Sequence, residues 1–122
     1  MTDRLTFPAT PLSVRAARVA VSGACIRAGL PFDVCDTMAL LTSETVTNAV
    51  LYGRSEVRLT VNASPRRIRV EVGDDNCRGP RRRPNDPNAL DGRGMNLVDA
   101  LASAWGVDAV EDGKIVWFEL CV

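Results

Sequence analysis

Histidine is absent from this chain. That excludes Ser-His-Asp and Cys-His nucleophilic catalysis, imidazole ligation of metals and a phosphohistidine relay within the chain itself. Lysine occurs once, at Lys114, among fifteen basic residues. No Lys-Ser/Thr pair follows a glycine loop, so a P-loop is missing. The four cysteines, Cys25, Cys35, Cys77 and Cys121, are scattered without a Cys-x-x-Cys pair. They argue against a zinc site, and no secretion signal accompanies them to suggest a disulfide framework. No apolar run approaches the length of a membrane span. Net charge is absent too, because fifteen acidic residues balance the basic ones. Nothing therefore pulls the chain as a whole toward nucleic acid or a membrane surface. The expectation is a reduced, cytoplasmic protein of 122 residues, the size of one domain covering 1–122.

Periodicity supplies the elements. Leu5-Thr6-Phe7 is a short extended segment closed by Pro8 and Pro11. Val14, Ala17, Val21, Ala24 and Ala28 recur at three- and four-residue steps, which predicts a helix stopped by Gly29 and Pro31. Asp33 suits the N-cap of a second helix, with Val34, Met38, Leu41, Thr45 and Ala49 as its apolar stripe and Gly53 at its end. Val57, Leu59 and Val61, then Ile68, Val70 and Val72, alternate with polar residues and predict two strands joined by a hairpin loop. From Asp75 to Gly92 no period survives, and a loop this long in a small domain is usually functional or disordered. Gly92-Arg93-Gly94 leads into a third helix with Met95, Val98, Leu101, Ala102 and Trp105 as its stripe. Trp105–Val110 and Lys114–Cys121 read as a closing hairpin turned by Asp112-Gly113. Ile115-Val116-Trp117-Phe118 is apolar on both sides, so that strand is central or covered, and both tryptophans are expected in the core. The order argues an α+β fold: a two-layer α/β sandwich with three helices on one face of a mostly antiparallel sheet.

Three features carry candidate chemistry, and each has an ordinary structural alternative. Glu44 and Asn48 lie four residues apart on one face of the second helix. A carboxylate there can orient a hydroxyl or take its proton, and an amide oxygen can ligate Mg²⁺; a solvated polar face is the plain alternative. Asp74 ends a strand, where a carboxylate can accept a hydrogen bond from the exocyclic amine of adenine or simply cap its own turn. Gly92-Arg93-Gly94 precedes a helix, where backbone N–H groups can meet phosphate oxygens or where the glycines merely loosen the entry. Arg81-Arg82-Arg83 offers cations to phosphates or an acidic partner, or only a solvated loop. In this order the set suits adenine, Mg²⁺ and a triphosphate along one groove.

These segments also resemble a known family. Leu41–Val50 (LTSETVTNAV) looks like the N box of the GHKL, or Bergerat-fold, ATPases. Val70–Asp74 is similar to the start of the first glycine box, and Gly92–Val98 (GRGMNLV) to the second. The resemblance runs from about Leu5 to Leu120 and comes nearest to bacterial anti-sigma factor serine/threonine kinases of actinobacterial type. It implies the Bergerat ATP-binding fold, with an ATP lid at about 76–91 between the third strand and third helix. It implies Glu44 as catalytic base, Asn48 as Mg²⁺ ligand and Asp74 as the adenine contact, with Asp75 the competing choice. Gly92, Arg93, Gly94 and Met95 would bind the cofactor, ATP with Mg²⁺. The implied function is an anti-sigma factor that phosphorylates an anti-anti-sigma antagonist and sequesters a sigma factor. No direct contact with nucleic acid or membrane is implied; family members frequently dimerise, so a homodimer is the implied state. Two departures stand out. Asp74-Asp75-Asn76-Cys77-Arg78 lacks both glycines of the usual Asp-x-Gly-x-Gly, and Tyr52 replaces the histidine often found four residues after the N-box asparagine. They favour the alternative of a non-catalytic, nucleotide-binding or nucleotide-independent interaction module. A small α+β domain with no nucleotide site would require all three boxes to be coincidental.

Overall fold

The computed structural model describes residues 1–52, 56–75 and 90–122, and for 90–95 the backbone alone. Its elements run β1 (Thr2–Pro8), α1 (Pro11–Arg27), α2 (Phe32–Tyr52), β2 (Glu56–Ser64), β3 (Arg67–Asp74), α3 (Leu90–Leu101), β4 (Ala104–Val110) and β5 (Gly113–Cys121). The five strands form one sheet in the order β1-β2-β3-β5-β4, and every described pairing is antiparallel. The helices pack on one face. This is the two-layer α+β sandwich that the periodicities imply.

Alternation sorts the sheet. Val57, Leu59, Val61 and Ala63 on β2, Ile68, Val70 and Val72 on β3, and Val116 and Phe118 on β5 are all buried. They meet Ala17, Val21, Ala24 and Cys25 of α1 and Met38, Leu41, Val46 and Ala49 of α2. Burying such side chains contributes about 1.5–3 kcal/mol each for the larger ones, so this seam positions α2 against the sheet.

Local chemistry sets the helix ends. Pro11 opens α1 at a position where a missing N–H costs nothing. The Ser13 hydroxyl donates to the Pro8 carbonyl at 2.6 Å. Gly29 then takes φ +78°, with Gly29 N–H bonded to Ile26 and Leu30 N–H to Cys25. That left-handed turn lets the chain double back into α2, and a Cβ there would be strained.

The structure departs from the sequence reading at four places. α2 begins at Phe32, so Asp33 sits in the first turn, where its charge favours the helix dipole, and not at the cap. α3 begins at Leu90, so Gly92 and Gly94 lie inside the helix and do not precede it; glycine lowers helix propensity by about 1 kcal/mol without forbidding it. α3 ends at Leu101, which is 42% exposed, and Trp105 belongs to β4. Its half-buried ring packs against the core, and its indole N–H donates to Asp99 at 2.9 Å. Trp117 is not in the core. It lies on the outer face of β5, where the Arg69 guanidinium stacks 4.3 Å from its ring centroid. Gly106 of β4 leaves the space its ring occupies, since a Cβ would come within 2.7 Å of the indole. The apolar pattern of β5 thus reflects a central strand whose second face is covered by an arginine and not by a second layer. Gly53, the Arg81–Arg83 run and residues 76–89 of the expected lid lie outside the described residues.

Candidate functional site

Six polar or charged residues are buried among the described residues: Ser13, Thr42, Thr45, Asn48, Asp74 and Lys114. Folding explains three of them directly. Ser13 is bonded to Pro8. The Thr42 hydroxyl donates to Met38 at 2.7 Å and that of Thr45 to Leu41 at 2.8 Å, each satisfied by its own helix. The other three are the candidate site.

Asn48 projects from the buried side of α2, and its Oδ1 has no hydrogen-bond partner among the described residues. An unpaired acceptor in the interior costs about 1–3 kcal/mol, so the helix holds it there at a loss unless something beyond the described residues engages it. An orphaned carboxamide oxygen is a hard donor of the kind Mg²⁺ selects. The residues present therefore fit that ion. Ser43 Oγ is likewise buried and unpartnered; nothing in the structure explains it. Glu44, one turn before Asn48, is half-buried and engaged in an interaction of its own.

Asp74 is the last residue of β3 and faces the helices, in register with Val70 and Val72. Its cross-strand partner is Lys114, the second residue of β5. The Lys114 ammonium donates to both carboxylate oxygens, at 3.0 and 2.9 Å, and the two side chains are only 6% and 2% exposed. These are the only buried charged residues among those described. Sequence reasoning missed Lys114. Gly113 holds this end of the sheet together: a Cβ there would run into the Asp74 backbone carbonyl.

α2 packs against β3, β5 and α3. Asn48 and Asp74 are buried between the helices and the sheet, and α3, which carries Gly92, Arg93, Gly94 and Met95, packs against α2. A helix N-terminus favours anions. The side chains of Arg93 and Met95 lie outside the described residues. A depression lined by Arg58, Thr60, Glu71, Gly73 and Ile115 is on the outer face of the sheet. Among the described residues no helix is long and apolar enough to cross a membrane.

Comparison with solved structures finds the same fold in the RsbU and RsbW domains of Rv1364c from Mycobacterium tuberculosis, at TM-score 0.74 and 16% identity over 99% of this chain and 32% of that one. The histidine kinase domain of the blue-light activated histidine kinase EL346 from Erythrobacter litoralis aligns at TM-score 0.57 and 22% identity, over 94% of this chain and 61% of that one. The Acinetobacter baumannii histidine kinase AdeS aligns at TM-score 0.53 and 12% identity, over 98% and 67%. This chain spans about a third of the Rv1364c structure. No curated protein matches it. Residues 7–120 match the family described as the histidine kinase-like ATPase domain, and the chain belongs to that family.

Proposed function

We propose that this chain binds ATP with Mg²⁺ between α2, α3 and the helix-facing side of the sheet, and that it transfers the γ-phosphoryl group to a serine or threonine hydroxyl of a partner protein. The observation that carries this reading is Asn48: a buried carboxamide oxygen without a partner among the described residues, within the motif order of an ATPase family. Asn48 Oδ1 would hold the metal, which when bound supplies charge neutralisation across the phosphates. The N–H groups at the start of α3 would take the phosphate oxygens. Glu44 would orient the attacking hydroxyl and accept its proton as the new O–P bond forms and the bond to the leaving diphosphate breaks. Positioning and charge do most of the work in such transfers. Asp74 would lie at the base end.

The finer reading is an anti-sigma factor kinase. It would phosphorylate an anti-anti-sigma antagonist in the cytoplasm and sequester a sigma factor, working as a single 1–122 domain and as a homodimer. The likeness in fold to a structure containing an RsbW domain supports it, as does the resemblance of the three boxes. The second reading, an interaction module without chemistry, is favoured by one observation: the Asp74 carboxylate is already bonded by Lys114.

Calorimetric titration with ATP and Mg²⁺, followed by phosphorylation of the cognate antagonist, separates the two readings. Glu44→Ala is expected to keep nucleotide affinity within about threefold and to lower transfer by 10²-fold or more. Equal transfer by that variant rejects the role of Glu44. Absence of binding at millimolar ATP favours the module.

A further inference from the structure

The outward face of α1 is apolar. Leu12, Ala16, Val19, Gly23 and Ile26 follow one another at steps of four, three, four and three residues, the spacing at which a helix turns one seam toward a second helix. At about 100° per residue the five fall within roughly 80° of each other. They lie on the side of α1 opposite Ala17, Val21 and Ala24, which face the core. Leu12, Val19 and Ile26 are 83%, 62% and 55% exposed. A surface helix ordinarily turns charged and polar residues to this side. Here the charges stand at the borders. Arg15 flanks the seam on one side and Arg27 on the other, with Arg18 further round, and α1 contains no acidic residue. Arg27 is held by Asp3 at 2.9 Å, and its guanidinium lies beside Gly23. Neither Arg15 nor Arg18 has an acidic partner among the described residues.

We propose that this seam docks an amphipathic helix of a partner protein, apolar on one face and bordered by aspartate and glutamate. Charge complementarity selects that occupant over a second copy of this chain. Two α1 seams laid together would gather arginines from both helices with no α1 carboxylate between them, whereas an acidic helix gives Arg15 and Arg18 the partners they lack. The small residues Ala16 and Gly23 alternate with Leu12, Val19 and Ile26, so side chains of the incoming helix can seat between the three larger ones. From Leu12 to Ile26 the seam runs about 21 Å, which a partner helix of about four turns covers. The inference goes beyond the nucleotide reading and does not depend on it, since the seam faces away from the core layer that holds Asn48 and Asp74.

Two designed helical peptides of about 20 residues serve as probes, both with leucine at alternating four- and three-residue steps. One borders its leucines with glutamate and the other with lysine. Fluorescence anisotropy against the full chain, without nucleotide, is expected to show the glutamate peptide binding tenfold or more tighter than the lysine peptide, with the preference shrinking as salt rises. Val19→Glu places a charge in the middle of the seam at an exposed position, so the fold is expected to survive while glutamate-peptide binding weakens tenfold or more. The double variant Arg15→Glu, Arg18→Glu is expected to reverse the preference toward the lysine peptide. Equal binding of the two peptides by the unmodified chain overturns the proposal, as does no binding of either at about 100 μM; neither result needs a variant to fold. Undiminished binding by a folded Val19→Glu protein overturns it too. Sedimentation equilibrium covers the remaining occupant: a dimer that Val19→Glu splits into monomers assigns the seam to a second copy and overturns the acidic partner. Peptide binding by a chain that takes no ATP would end the nucleotide reading and leave this one standing.

Discussion

Replacing Asn48 with alanine should make the empty protein more stable while removing its metal-dependent affinity. The magnitude follows from the surroundings. Relieving the stranded Oδ1 recovers about 1–3 kcal/mol of desolvation. Alanine in a helix interior adds up to about 0.7 kcal/mol over asparagine. Against this stand a few lost van der Waals contacts at about 0.1–0.2 kcal/mol per atom pair, roughly 1 kcal/mol for a side chain this small. The net is stabilising by about 1–2 kcal/mol. For a domain of this length that raises Tm by roughly 3–8 °C. Circular dichroism melts without nucleotide check the first half of the prediction. Titration with ATP, with and without Mg²⁺, checks the second, where the unmodified chain should gain tenfold or more from the ion and the variant little. A variant that melts several degrees lower would mean that Asn48 holds the core together. Retained Mg²⁺ dependence would remove it from the metal. Either result refutes the reasoning.

Three further outcomes follow from the packing and the one displaced pKa. Gly113→Ala should lower stability by about 1–3 kcal/mol, because its Cβ must push the Asp74 carbonyl away; Gly73→Ala, whose nearest neighbours are the Arg58 side chain at 3.5 Å and Ile115, should be near neutral in the same thermal melt. The Cys25 thiol is pushed up to about 12 by burial, with the neighbouring Cys35 adding to the shift. Since the folded value exceeds the ordinary one near 9.0, the stability this thiol protects is intact below pH 9 and is lost as pH rises toward 12. Urea midpoints should therefore fall more steeply across that window in the unmodified chain than in Cys25→Ala, and equal slopes would contradict the assignment. In native protein at pH 8, iodoacetamide should label exposed Cys121 and leave buried Cys25 and Cys35 unmodified, read by mass spectrometry.

Much of the fold was legible because its hydrophobic faces are regular. Val57-Leu59-Val61 and Ile68-Val70-Val72 announce one packed and one wet side, and the α1 and α2 stripes announce what packs there. Reading failed where a side chain's surroundings come from another strand. Trp117 looks like core by composition, yet its outward position is set by strand parity and made comfortable by Arg69 and Gly106, 48 and 11 residues away in sequence. The limits of α3 were misjudged because glycine marks helix ends only on average, and tertiary packing against α2 overrides a cost of about 1 kcal/mol.

The candidate site divides along the same line. Glu44, Asn48, Asp74, Gly92 and Gly94 can be named from short motifs, because each motif is local. That Asn48 Oδ1 lacks a partner among the described residues is not local; it depends on which side chains of other elements reach α2. Lys114 lies between these extremes. Its pairing with Asp74 spans forty residues, but its parity was available: it is two residues before Val116 and four before Phe118, so once those two are taken as inward-facing, Lys114 must point inward as well. An ammonium forced into a buried layer demands an acid, and Asp74 is the only buried carboxylate among the described residues. Strand alternation followed through a single lysine would thus have located the ion pair. It would also have raised the question of what a carboxylate proposed to recognise a base does when the chain already supplies its donor.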